Sequence, residues 1–121
     1  MFDSYNYVGK CTKVIDGDTI EAVIDLGFQI RHTVRVRIMN VDTPELFSPK
    51  SAEEKEVAII MKLFLESLVL DKAICLTTKK DSTSFNRYLA HVYLPQAVLN
   101  EGMHYVDITP LIVTELAKYT W

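Results

Sequence analysis

The chain has 121 residues, 49% of them hydrophobic, and its 13 Lys and Arg against 16 Asp and Glu give a formal charge of −3 at pH 7. That length fits one domain, residues 1–121, able to bury a core without staples. No apolar run reaches the roughly 18 residues a membrane helix needs, the acidic balance counts against a large footprint held by phosphate contacts alone, and MFDSYNYVGK at the N-terminus lacks a basic region followed by an apolar core, so no secretory leader is expected and the cytoplasm is the default compartment.

Residues 7–15 mix apolar and polar positions with β-branched side chains, and Asp16-Gly17 follows as a hairpin turn signal. The second strand, Thr19 to Leu26, puts Ile20, Ala22, Ile24 and Leu26 on one face and ends at Gly27. A third strand is expected from about Phe28 to Met39, with Val34, Val36 and Ile38 on one face and Arg35 and Arg37 on the other. Alternation stops at Asp42, and Thr43-Pro44 begins a loop because proline lacks an amide hydrogen and biases its predecessor away from the helical region. Ser51 with Glu54 reads as a capping box opening a helix over about 52–69, whose stripe Val57, Ile60, Met61, Phe64, Leu65 and Leu68 covers the meander. AICLTT from Ala73 is a fourth strand, Lys79 to Asn86 an exposed loop, and YLAHVYL from Tyr88 a fifth strand; Thr109 before Pro110 then marks the start of a second helix. Cys11 and Cys75 fall on separate strands without a CxxC spacing, which fits buried free thiols. The order βββαββα is compatible with an α+β fold built as a five-stranded OB-type barrel, a class that binds ligands on one strand face and its loops.

Acids and arginines concentrate at three strand ends: Asp16-Gly17-Asp18, Arg37 with Asp42 and Glu45, and Arg87 before the fifth strand. Hard divalent cations take oxygen ligands, so Asp18, Asp42 and the Thr43 carbonyl make a partial Ca²⁺ shell completed by water. The planar forks of Arg37 and Arg87 suit two phosphate oxygens and stay charged, which leaves Glu45 to activate water. Each piece alone is also an ordinary turn or a solvated strand face, since Asp and Gly favour turns for backbone reasons.

The segments VIDGDTIEAV, VRVRIMNVDTPE and FNRYLAHVY, in this order and spacing, resemble the staphylococcal-nuclease-like, or thermonuclease, family of OB-fold Ca²⁺ nucleases. The resemblance runs over nearly the whole chain. It implies Asp18, Asp42 and Thr43 as Ca²⁺ ligands, Arg37 and Arg87 as phosphate arginines, and Glu45 as the residue that activates or positions water. Phe85, Leu89 and Trp121 become candidate substrate contacts. Phe85 stands where the family often has tyrosine, and Asn86 where it often has glycine. The implied activity is Ca²⁺-dependent phosphodiester hydrolysis of DNA or RNA leaving a 3′-phosphate; a small, phosphate-directed site with few groups to read base edges is expected to prefer single strands, and a monomer with no membrane partner is expected. The alternative is a module that has lost catalysis and binds nucleic acid or a protein.

Overall fold

The structure, a computed structural model, describes residues 4–84 and 87–121. Six strands and two helices follow in the order β1 (Ser4–Asp16), β2 (Thr19–Asp25), β3 (Arg31–Ile38), α1 (Ala52–Val69), β4 (Ala73–Ser84), β5 (Arg87–Val98), β6 (Gly102–Asp107) and α2 (Thr109–Leu116). The sheet is mostly antiparallel, with neighbours β3-β2-β1-β4-β5-β6, and β3 also pairs in parallel with β5 over Val36–Ile38 and Tyr88–Ala90. The fold is therefore α+β.

Alternation along the strands decides which side chains enter the core. Ile20, Ala22 and Ile24 of β2, Val36 and Ile38 of β3, Ile74 and Leu76 of β4, and Ala90 and Val92 of β5 are all buried. Helix α1 closes this core with Val57, Ala58, Met61, Leu65 and Val69 at helical spacing. Its start uses the capping box: the Glu54 N–H donates to Ser51 Oγ at 3.0 Å, and Glu54 Oε2 accepts from the Lys50 N–H at 2.7 Å. Two register shifts in β1, between Cys11 and Lys13 and between Val14 and Asp16, bend the strand as bulges do, and β1 pairs with β2 on one edge and β4 on the other.

Several expectations need correction. The sheet has six strands, not five, and the order is βββαβββα, because β6 pairs with β5 across the Val98–Gly102 hairpin. Strand β3 begins at Arg31 rather than Phe28, since Gly27, Phe28 and Gln29 all have positive φ and the Ile30 N–H closes a turn onto the Gly27 carbonyl at 2.9 Å. Strand β4 runs on to Ser84, through most of the segment expected as a loop. Helix α2 includes Thr109, with Ile108 at its N-cap; the Thr109 N–H donates to Asp107 Oδ1 at 3.0 Å, so the acid two residues upstream does the work expected of Thr109. Both cysteines are free, but only Cys11 is buried and Cys75 is half-buried. No helix among the described residues is long and apolar enough to cross a membrane.

Candidate functional site

Three chain segments meet where β2 begins and β3 ends. The Ile38 N–H donates to the Asp18 carbonyl at 2.8 Å, and the Met39 N–H to the Ala90 carbonyl at 2.8 Å, so the β1–β2 turn, the β3 exit and the start of β5 are tied together by backbone bonds. This tie carries the site. Asp18 is buried, with its side chain 7% exposed, and its carboxylate accepts from the Thr19 hydroxyl at 3.0 Å and the Thr43 N–H at 3.3 Å. A buried carboxylate is costly without such donors. Arg37 supplies the compensating charge: its Nη2 stands 3.7 Å from Asp18 Oδ2 and 3.4 Å from Asp42 Oδ1, and 3.5 Å from the Val41 carbonyl. One guanidinium nitrogen thus bridges a buried acid and an acid whose side chain is 83% exposed.

Thr43 and Pro44 are buried, which fixes the loop that carries Asp42 against the turn. The Thr43 hydroxyl is buried without a hydrogen-bond partner among the described residues, and buried polar atoms rarely go unpaired. Leu89 pairs with Arg37 across the parallel β3–β5 contact, and the two line a shallow depression of about 350 Å³ with Asn40 and Asp42. Arg87 opens β5 two residues before Leu89, while its side chain and Phe85 lie outside the described part of the structure. Glu45 is exposed, and among the described residues no hydrogen bond or ion pair joins it to Asp18, Asp42 or Arg37. Trp121, half-exposed at the chain end, is not among the residues lining the depression beside Arg37. Asp18, Arg37, Asp42, Thr43 and Leu89 therefore come together.

Asp16, a turn residue within the Asp16-Gly17-Asp18 concentration of acids and not an expected ligand, belongs to this cluster. Its Oδ1 accepts the Asp18 N–H at 3.1 Å, and its carboxyl is pushed up to about 7, first by burial and then by the Asp18 carboxylate beside it. A second acid two residues from a candidate ligand was the available signal. Gly17 between them faces α1, where a β-carbon would come within 2.8 Å of both Met61 Cβ and Thr43 Oγ1.

The donor set tests the fit of a cation. Two carboxylates, of Asp18 and Asp42, reach the same guanidinium nitrogen, and Thr43, whose N–H donates to Asp18, has a buried hydroxyl without a partner among the described residues. These are oxygen donors, the class that Ca²⁺ takes, with no thiol or imidazole among them. No trio of His, Cys, Asp and Glu close enough to hold a metal occurs among the described residues, so an ion there would rely on the Thr43 carbonyl and on water as well. Neither a protein-family model nor a curated protein matches the chain.

Proposed function

We propose that this domain is a Ca²⁺-dependent nuclease of the staphylococcal-nuclease-like kind, hydrolysing phosphodiester bonds of DNA or RNA with a preference for single strands. The observation that carries the reading is the Arg37 guanidinium standing 3.7 Å from Asp18 and 3.4 Å from Asp42, an arrangement that supports a phosphate-directed fork beside two oxygen-donor acids. The β3–β5 pairing supports the OB-like part of the reading, since it makes the first five strands a ring of hydrogen-bonded neighbours, to which β6 is appended.

Asp18, Asp42 and the Thr43 carbonyl are assigned as the residues that hold Ca²⁺. When bound, the ion supplies charge that polarises a phosphodiester oxygen. Arg37 would direct its fork to the non-bridging phosphate oxygens and stabilise the charge that builds on them. Arg87 is assigned the same role from the start of β5. Glu45, exposed on the loop after Pro44, is assigned to take the proton from the attacking water. The burial of Asp18 keeps competing water from one side of the site.

One observation favours the second reading, a binding module without catalysis: Arg37 already pairs with both Asp18 and Asp42, so one of the two negative charges is balanced by the chain itself. Digestion of single-stranded DNA and of RNA with Ca²⁺, with EGTA, and with Mg²⁺ in EGTA separates the two. Cleavage with Ca²⁺ and little with Mg²⁺ supports the nuclease, because Mg²⁺ demands stricter octahedral geometry than this loose set offers. Equal cleavage with Mg²⁺ overturns the Ca²⁺ assignment, and no cleavage under any condition leaves the binding module.

A further inference from the structure

The formal charge of −3 is not evenly spread. Directly paired residues on neighbouring strands share a face, and the register sets Lys13 beside Glu21 and Glu21 beside Arg35, with Lys10 beside Val23 and Asp25 beside Arg31. The outward face of β1-β2-β3 therefore carries four exposed cations, Lys10, Lys13, Arg31 and Arg35, against Glu21 and Asp25. Glu21 Oε2 stands 3.7 Å from Arg35 Nη2 and Asp25 Oδ1 accepts the Gly27 N–H at 2.8 Å, and four cations against two acids leave this face with two positive charges in excess. Arg31, Arg35 and Arg37 lie on one face of β3, with Thr33 between the first two, so the arginine row runs about 20 Å from the start of the strand into the candidate site, at roughly 3.3 Å per residue.

A shallow depression of about 460 Å³, lined by Val8, Lys10, Val23 and Arg31 among others, lies on this face. The turn that joins β2 to β3 carries Phe28, 97% exposed, in the first of its two central positions, which have φ of 52° and 63°. Such turns favour Asn-Gly, and a bulky residue with positive φ is uncommon, so local backbone chemistry does not explain a phenylalanine there.

We propose that the outer face of β1-β2-β3 holds a single strand of nucleic acid leading away from the candidate site, with Arg31, Arg35, Lys10 and Lys13 on its phosphates and Phe28 stacking on a base at the far end. The inference rests on the nucleic-acid reading of the Arg37 site. Continuity of the cationic column with Arg37 selects this occupant over an anionic membrane, which would meet only the tip. Phosphate contacts supply affinity through counterion release, and an aromatic platform adds sequence-tolerant stacking.

The test is binding of a labelled oligothymidylate of about 12 nucleotides to the whole chain in EDTA, followed by fluorescence anisotropy as salt is raised. Arg31→Gln with Arg35→Gln should lower the slope of log affinity against log salt by about 1.4 and weaken binding roughly 25-fold at about 0.1 M salt, taking about 0.7 per phosphate contact on a single strand. Phe28→Ala should weaken binding about 5- to 100-fold and leave the slope unchanged. Lys55→Gln, exposed on α1, should change neither. Lys10→Gln with Lys13→Gln reads the same face if the arginine pair fails to fold, as judged by thermal unfolding. An arginine pair and a lysine pair that both behave like Lys55→Gln overturn the proposal, as does a wild type that binds phosphatidylserine vesicles and no oligonucleotide. Ca²⁺-dependent cleavage by the wild type is scored separately. Cleavage with no effect of these variants on strand affinity removes the strand path and keeps the nuclease; variant-sensitive strand binding without cleavage keeps the path and removes the nuclease.

Discussion

Replacing Gly17 by alanine tests whether the turn between the two aspartates is built against the helix or merely needs a flexible residue. The φ of Gly17 is not in the positive region, which among the glycines is occupied by Gly27 and Gly102. Alanine therefore strains no backbone there, and on chain-entropy grounds alone it would stabilise the fold by about 0.4–1 kcal/mol. The surroundings predict the opposite sign. An alanine Cβ would lie 2.8 Å from Met61 Cβ and 2.8 Å from Thr43 Oγ1, with Thr43 Cβ at 3.0 Å. Met61 Cβ is fixed to the backbone of α1 and is fully buried, so the strain passes to Thr43 and the turn. Overpacking of this kind costs about 1–3 kcal/mol, which at about 4 °C per kcal/mol for a chain of this size lowers Tm by roughly 4–12 °C. Thr43 also donates its N–H to Asp18, so displacing it should weaken Ca²⁺-dependent cleavage beyond the loss of folded protein. Thermal and urea unfolding of Gly17→Ala beside the wild type gives the sign. A variant as stable as the wild type, or more so, refutes the packing of the turn against Met61 and Thr43.

Arg37→Lys keeps the charge but loses the fork, and turnover should fall by about 10²-fold, a size typical of losing one preorganised donor; unchanged steady-state kinetics would remove Arg37 from the phosphate. Ca²⁺ with a nucleotide bisphosphate at a hundredfold excess over Kd should stabilise the wild type by about 2.7 kcal/mol through mass action. That stabilisation should vanish in Asp42→Asn and survive in Glu45→Gln, which should instead lose turnover; a full thermal shift in Asp42→Asn would exclude Asp42 as a ligand. Burial pushes the Cys11 thiol up from its ordinary 9.0 to about 11. A raised folded value means stability that is fully present below pH 9 and is lost as pH rises through 11. Urea unfolding from pH 7.5 to 10.5 should show that loss in the wild type, and a flatter alkaline limb in Cys11→Ala; parallel curves would show that the thiol does not contribute.

Local patterns in the chain were sufficient for much of this protein. Alternation at Val34, Val36 and Ile38 specified a strand with one buried face, and the apolar spacing from Val57 to Val69 with Ser51 and Glu54 ahead of it specified α1 with the ends it has. Both signals are local, because side-chain direction repeats every two or 3.6 residues whatever the partner. The acids and arginines at the strand ends were legible for the same reason, as departures from those periods. Strand β6 was not: its first four residues are exposed, and Pro95 reads as the end of the fifth strand although β5 runs through it to Val98 and pairs there with β6. Only the tertiary structure could decide that β3 and β5 pair in parallel, since that contact joins residues about fifty positions apart and no local period reports it. The β2–β3 pairing brings Arg37 to Asp18, with Asp42 five residues further along the chain, and β2 lies between the arginines of β3 and the lysines of β1 on one outward face. Residue types are written along the chain, but their distances and the burial that shifts Asp16 and Cys11 arise from strands brought together across long loops, and packing alone supplies those.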